Sequence, residues 1–160
     1  MMRMEHMAQF QITPLANATQ RTATQIHDVM IAAYRTEREI LGISEFPPLN
    51  RTIEGVARAK SAFIGALLRG QLVAVAEYVC EPGEDVDICA LVVLPSHFRM
   101  GLGTALLRSI IETHPGARIM VQTGESNRLA VSLYEKLGFR ISRTWTADRA
   151  LRMVELVLIS

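Results

Sequence analysis

The most constraining feature of the sequence is a buried-strand pattern that leads through a glycine loop into a helix pattern. Residues 86–94 (VDICALVVL) have almost no polar alternation after Asp87, which is typical of a strand covered on both faces. Pro95 ends this run, and Gly101 and Gly103 precede an apolar stripe of helical period over residues 106–111. Such a strand needs other elements on each of its faces, so the segment predicts an α/β or α+β sheet with helices packed against it.

Periodicity and turn residues predict the other elements. Apolar residues recur at steps of three and four over residues 19–41, where Gly42 stops the helix, and Pro47 and Pro48 exclude helix from the next segment. Arg69-Gly70-Gln71 separates two short apolar runs and indicates a hairpin. The predicted helices are 19–41, 52–60, 101–113 and 127–137, and the predicted strands are 62–68, 72–79, 86–94, 118–123, 141–146 and 151–159.

Length and composition limit the classes of protein that this chain can represent. A chain of 160 residues with 49% apolar and 21% charged residues has the size and composition of one folded domain. We therefore expect a single domain over 11–160, preceded over residues 1–10 by a flexible segment or by an early strand that leads into FQITPL. The formal net charge of +1 gives no basic surplus for nucleic acid or an anionic membrane as the main partner.

Other residue counts bear on location and metal binding. No apolar run reaches the ~20 residues of a membrane span, and the first residues lack the apolar stretch of a signal peptide, so a cytoplasmic protein is expected. Two cysteines do not make a disulfide framework, and the four histidines show no metal-ligand spacing. We expect no metal.

The glycine loop has a chemistry of its own. The first N–H groups of a helix lack intrahelical partners and lie at the positive end of the helix dipole, so a pyrophosphate fits there. Gly101 and Gly103 let the main chain approach phosphate oxygens without an intervening Cβ. The other interpretation is a tight turn with nothing bound, and the glycine spacing alone leaves both open.

The same segment resembles the acyl-CoA-binding signature of the GNAT acetyltransferase superfamily, in which a strand ending in Val-x-Pro leads into Gln/Arg-x-x-Gly-x-Gly/Ala. The match holds at Val93, Pro95, Gly101 and Gly103, while Phe98 stands at the Gln/Arg position with Arg99 beside it. A second family signature follows downstream as Asn127-x-x-Ala130-x-x-Leu133-Tyr134-x-x-x-Gly138-Phe139.

The resemblance implies a fold, an activity and a cosubstrate. It implies a single-domain, mostly antiparallel twisted sheet that splays at the CoA-binding strand, with helices on both faces. The implied activity is N-acetyl transfer from acetyl-CoA to a primary amine by direct attack in a ternary complex. The strand backbone would hold the pantetheine arm and the loop the pyrophosphate. The implied cofactor-binding residues are Leu91, Val92, Val93, Leu94, Phe98, Arg99, Met100, Gly101, Leu102, Gly103, Thr104 and Asn127.

The resemblance also suggests which residues move the protons. Tyr134 stands where the family places a general acid that protonates the departing thiolate, although a core aromatic is the competing interpretation. The attacking amine must lose a proton, because an alkyl amine is mostly ammonium at neutral pH. Asp87, which stands near the start of the CoA-binding strand, and Glu77 in the preceding strand are rival bases, and water is a third.

Two functions of other classes compete with this one. The first is a non-catalytic CoA-binding sensor, which the Phe98 departure favours and Tyr134 disfavours. The second is a protein-interaction module whose glycine loop is empty. The acceptor is expected to be a small-molecule or peptide amine, but the near balance of acids and bases over residues 33–58 and 145–152 gives no direction. Acyl-chain preference is likewise open, as is a homodimer.

Overall fold

The computed structural model describes residues 9–159 and builds them around one open sheet. The strands are β1 Phe10–Pro14, β2 Ala62–Leu68, β3 Gln71–Cys80, β4 Val86–Val93, β5 Arg118–Gly124, β6 Arg140–Thr146 and β7 Arg152–Ile159. The α-helices are α1 Gln20–Leu41, α2 Ile53–Arg58, α3 Leu102–Thr113 and α4 Arg128–Lys136. The strand order is β1-β2-β3-β4-β5-β7-β6, and within it only β4 and β5 pair in parallel.

Each helix starts within one residue of its predicted start, and α2 ends at Arg58, two residues before its predicted end. Thr19 precedes α1, and Gly42 ends it in the left-handed conformation with φ 67°. The Thr52 hydroxyl caps α2 by accepting from the N–H of Gly55 at 2.9 Å. Residues 1–8 of the predicted segment 1–10 lie outside the described residues. Phe10 is the first residue of β1 and pairs with Leu68.

Helices cover both faces of the sheet, which confirms the predicted fold class. On one face α1 and α2 bury Ile26, Met30 and Val56 against β3 and β4. On the other face α3 and α4 bury a second cluster against the sheet, with Leu106 and Tyr134 among its members. The two clusters are the two halves of one core, divided by the sheet.

A β-bulge in β4 changes the side of the sheet to which its residues point. Glu77 lies opposite Ala90 and the next pair is Tyr78 with Ile88, so Cys89 is the extra residue. Ile88 packs in the cluster of α3 and α4, whereas Ala90 packs in the cluster of α1.

The bulge corrects one expectation about β4. The apolar run predicts a strand covered on both faces, but Asp87 and Cys89 are exposed in its first half. Coverage on both faces begins after the bulge, where α1 packs on one side and α3 on the other. The bulge changes which positions of β4 point inward, so the apolar run continues through Cys89 although that residue is exposed. Periodicity alone therefore overestimates the length of strand that is covered on both faces.

The sheet opens between β4 and β5. Their parallel ladder joins Val86 to Ile119, Asp87 to Met120 and Ile88 to Val121, which is three residue pairs. Beyond it β5 continues to pair with β7 as far as Gly124, and β4 continues with β3. The two strands therefore diverge at their carboxyl ends, and this is the splay that the resemblance implies.

An ion pair between the half-buried Arg51 and the buried Glu77 ties the segment before α2 to the sheet. The Arg51 guanidinium donates to both oxygens of Glu77 on β3, at 2.6 and 2.9 Å, and the Ser61 hydroxyl donates to the same carboxylate at 2.5 Å. Glu77 is 4% exposed. Buried carboxylates are stable in proteins when a cation and further hydrogen bonds compensate them, as happens here.

Removing the cation should destabilise the fold. Arg51→Ala leaves the Glu77 carboxylate buried without its partner, so we expect the free energy of unfolding to fall by about 3–5 kcal/mol in urea denaturation. Arg58→Ala, on an exposed position of α2, is the matched control and should change stability by at most about 0.5 kcal/mol. Equal losses in the two variants would show that the ion pair contributes nothing to stability.

Candidate active site

A cavity of about 470 Å³ lies at the end of β4, beyond the point where the ladder to β5 ends. Its walls come from the second half of α1, the end of β4, the loop before α3, the first turn of α3, and α4. Most of the predicted cofactor-binding residues line it: Leu91, Val92, Val93, Phe98, Arg99, Gly101, Leu102, Gly103, Thr104 and Asn127. Leu94 and Met100 are not among the lining residues, and the N–H of Leu94 instead donates to the carbonyl of Val73 at 2.9 Å.

The start of α3 presents unpaired backbone donors to this cavity. The first hydrogen bond of the helix runs from the N–H of Ala105 to the carbonyl of Gly101, at 3.0 Å. By helix geometry the N–H groups of Leu102, Gly103 and Thr104 then have no intrahelical acceptor. These residues line the cavity, so the positive end of the helix dipole faces it. The arrangement can bind a phosphate anion.

The two glycines of the loop have different structural roles. Gly101 adopts φ 78° at the helix start, a conformation that residues with a Cβ rarely take. Gly103 has ordinary helical geometry, and a Cβ on it would lie 3.0 Å from Cδ2 of Leu133 on α4. Glycine at position 103 therefore also lets α3 and α4 pack closely, a role that the sequence motif does not reveal.

The end of β4 offers backbone hydrogen-bonding groups to a ligand. Leu91, Val92 and Val93 pair with β3 on one edge, but the ladder to β5 has already ended at Ile88. Main-chain groups on the β5 side of these three residues therefore line the gap between the strands. An extended ligand with amide groups can pair with such an edge.

Tyr134 lies on α4, lines the cavity and is 4% exposed. Its ring packs against Phe139, with ring centroids 5.5 Å apart. Burial raises the pKa of the Tyr134 phenol well above its usual range, and the charge of Glu37 and the nearby Tyr34 raise the pKa further. The phenol is therefore protonated at neutral pH and can serve as a proton donor.

Asn127 links the start of α4 to α1. Its side-chain oxygen accepts from the N–H of Ala130 at 3.3 Å, which is the helix-capping role that its sequence position suggests. Its amide nitrogen donates to Oε1 of Glu37 at 3.2 Å. The side chain also lines the cavity, so capping and contact with a ligand are compatible.

The face of α1 that borders the cavity lies within the segment 33–58, where the sequence places acids such as Glu37 near basic residues and gives no direction for the acceptor. Its lining residues, at spacings of one, three, four and seven positions, form one helix face: Ala33, Tyr34, Thr36, Glu37 and Ile40. Burial raises the pKa of Glu37, and the hydrogen bond from Asn127 opposes that rise. The available signal was a charged residue at position 37 on the buried stripe of an amphipathic helix.

The two predicted carboxylate bases lie elsewhere. Neither Asp87 nor Glu77 is among the described residues that line the cavity. Both oxygens of Glu77 are held by Arg51, an arrangement typical of a structural ion pair. Asp87 is exposed on β4 before the bulge, where burial raises its pKa and the Glu155 carboxylate raises the pKa further.

Two features are absent from residues 9–159. No helix there is both long enough and apolar enough to cross a membrane. That part of the chain also contains no group of three or more His, Cys, Asp or Glu side chains placed to hold a metal ion.

Comparison with protein-family models gives a match to the acetyltransferase (GNAT) family over residues 24–139. Among curated proteins, the UPF0157 protein YqkA of Bacillus subtilis (strain 168) is 37% identical over 130 residues, which is 81% of this chain. The chain spans 38% of the length of that relative.

Solved structures share the fold at low sequence identity. The ribosomal-protein-S18-alanine N-acetyltransferase from Escherichia coli superposes with a TM-score of 0.73 at 18% identity, covering 94% of each chain. The PaiA N-acetyltransferase from Thermoplasma acidophilum, solved in complex with coenzyme A, gives a TM-score of 0.71 at 15% identity, covering 92% of this chain and 98% of that one.

Proposed function

This chain belongs to the acetyltransferase (GNAT) family, and we propose that it transfers the acetyl group of acetyl-CoA to a primary amine by direct attack in a ternary complex. One observation carries the proposal. A single cavity combines the unpaired edge of β4, the donor groups at the start of α3 and the buried phenol of Tyr134. These features correspond to the three needs of the reaction: holding the pantetheine arm, holding the pyrophosphate and protonating the leaving thiolate.

The residues present fit acetyl-CoA as cosubstrate. The N–H groups at 102–104 would bind the pyrophosphate, with the cationic side chains Arg99 and Lys136 lining the same cavity. Phe98 cannot donate a hydrogen bond, so phosphate recognition at that position falls to the backbone. The edge of β4 at 91–93 would pair with the amide groups of the pantetheine arm.

The reaction needs positioning and two proton transfers. The amine nitrogen attacks the thioester carbonyl carbon, the C–N bond forms and the C–S bond breaks. The departing thiolate takes the proton of the Tyr134 phenol, which recovers one from the acylated nitrogen. The acceptor, a small-molecule or peptide amine, must arrive without its ammonium proton or lose it in the site. The bases predicted for that first step are Asp87, Glu77 and water, and neither of the two carboxylates lines the cavity.

A CoA-binding sensor without turnover is the second candidate, and Phe98 at the usual Gln/Arg position favours it. Measuring CoA release with a panel of primary amines, together with the melting temperature in acetyl-CoA, separates the functions. An enzyme shows both a rise in melting temperature and CoA release. A sensor shows only the rise. A protein-interaction module with an empty loop shows neither. In a protein that binds acetyl-CoA, ligand at 100 times its Kd would add about 2.7 kcal/mol to the free energy of unfolding.

The phosphate loop can be tested with a strained backbone. Gly101→Val places a β-branched residue at φ 78°, so the loop must shift and acetyl-CoA affinity should fall at least about tenfold in calorimetric titration. Gly116→Val is the matched control, because Gly116 has φ 79° and lies in the turn between α3 and β5. If both variants bind acetyl-CoA like the parent protein, the loop does not hold phosphate.

The phenol can be tested by removing one oxygen. Tyr134→Phe keeps the ring and its contact with Phe139, so we expect the acetyl-CoA Kd to stay constant while kcat falls by about 10²–10⁴. Tyr78→Phe, on β3, is the control and should leave kcat unchanged. A loss of about 1–3 kcal/mol in stability with an unchanged kcat would instead mean that the hydroxyl only satisfies a buried partner.

A further inference from the structure

Glu37 is a carboxylate at the cavity that takes no part in the proton transfers described so far. It belongs to α1, which packs on the opposite face of the sheet from α3 and α4. It nevertheless borders the same cavity as Tyr134, and its charge reaches that phenol. Among the described lining residues Glu37 is the sole acid, whereas the cations Arg99 and Lys136 lie on the phosphate loop and α4. The cavity therefore has one anionic point, on its α1 wall.

The contacts of Glu37 leave part of its hydrogen-bonding capacity for a ligand. Asn127 donates to Oε1, and the cap of α4 fixes the orientation of that amide. Within residues 9–159 this is the one side-chain hydrogen bond that Glu37 makes, so Oε2 can accept from a ligand. The ion pairs found in that range use Glu77, Glu125 and Glu155, and none of them uses Glu37.

A carboxylate in this setting attracts a cation. Removing a charge from water is costly, and the cost is recovered when an opposite charge binds beside it. Glu77 shows the compensated case in this same protein, because Arg51 contacts both of its oxygens. Glu37 has an amide as its partner and a cavity beside it, so the compensating cation can come from the substrate.

We propose that Glu37 binds the ammonium group of the acceptor beside the thioester and takes its proton, which makes cationic primary amines the substrate class of this enzyme. The inference rests on the proposed acetyl transfer and adds the base and the charge of the acceptor to it. Asn127 is then a positioning residue, since it orients the Glu37 carboxylate from the other wall of the cavity.

The protons balance in this scheme. The ammonium gives its first proton to Oε2 of Glu37, and the neutral nitrogen attacks the carbonyl carbon. The C–S bond breaks, and the thiolate takes the proton of Tyr134. The phenolate recovers a proton from the acylated nitrogen, which keeps its third hydrogen as the amide N–H. Glu37 finally releases its proton to solvent, so an ammonium and acetyl-CoA give an amide, CoA thiol and one proton.

Several charged or titratable groups share this environment. Tyr34 lies one turn away on α1, Tyr134 and Lys136 belong to α4, and His97 and Arg99 belong to the loop. Burial raises the pKa of Glu37, which makes its carboxylate a stronger base than an exposed one, while Asn127 limits the rise. The same negative charge raises the pKa of Tyr134.

The test compares Glu37→Gln with Glu39→Gln, which makes the same charge change at an exposed position of the same helix. The amide oxygen that Glu37→Gln introduces can still accept from Asn127, so a purely structural role would survive the substitution. We expect Glu37→Gln to lower kcat/KM for the best alkyl amine of the panel by about 10²–10⁴ at pH 7. Glu39→Gln should match the parent enzyme, and both variants should keep the parent Kd for acetyl-CoA.

Two further measurements separate a base from a scaffold. The rate of Glu37→Gln should rise about tenfold per pH unit toward the pKa of the amine, because only free amine in solution then reacts. The parent rate should depend less on pH above the pKa of Glu37. Aniline, which carries no ammonium proton to remove at pH 7, should lose less rate than the alkyl amine in Glu37→Gln.

The outcomes distinguish this inference from the proposed function. A parent protein that does not bind acetyl-CoA refutes the acetyl transfer itself. A parent protein that acetylates alkyl amines, with Glu37→Gln equal to it in rate and pH profile, overturns the role of Glu37 alone. A parent protein that binds acetyl-CoA and acetylates aniline but no alkyl amine overturns the cationic substrate class.

Discussion

The short parallel ladder between β4 and β5 is the constraint on which the rest of the site depends. It ends after three residue pairs, and the bulge at Cys89 follows directly on β4. Backbone groups beyond that point cannot pair with β5, so the strands separate and leave a polar edge inside the molecule. Backbone groups tend to find hydrogen-bond partners, and a ligand with amide groups can supply them at such an edge. Two packed helical layers hold the gap open, one on each side of the sheet.

Charge is distributed unevenly around the gap. The start of α3 contributes N–H donors and the positive end of a dipole, with Arg99 and Lys136 on the same cavity. The α1 wall contributes Glu37, and Tyr134 lies within reach of its charge. A ligand that is anionic at one end and reacts with a cationic partner at the other matches this arrangement. The family membership and the electrostatics therefore point to the same chemistry by separate arguments.

Short-range signals account for most of what could be predicted. The end of α1 follows from Gly42 and the start of α3 follows from the loop glycines, because a helix end is decided within a few residues. The presence of two family motifs in one chain, the glycine loop and the segment with Asn127 and Tyr134, predicted one cofactor site. Ten of the twelve predicted cofactor-binding residues line the cavity. The burial of β4 was overestimated, since a bulge depends on the partner strand and leaves no pattern in the strand itself.

The sequence by itself determined the order of the elements from α1 onward, the layered class of the fold, the glycine loop before α3 and the presence of a tyrosine on α4. Each of these depends on residues that are neighbours in the chain. The tertiary structure alone decided which carboxylate reaches the cavity. Glu77 lies one strand away from the glycine loop but faces Arg51, whereas Glu37, far from Tyr134 in the chain, borders the same cavity. Side-chain direction across a sheet depends on register and on which helix packs against it, and these are properties of the assembled layers.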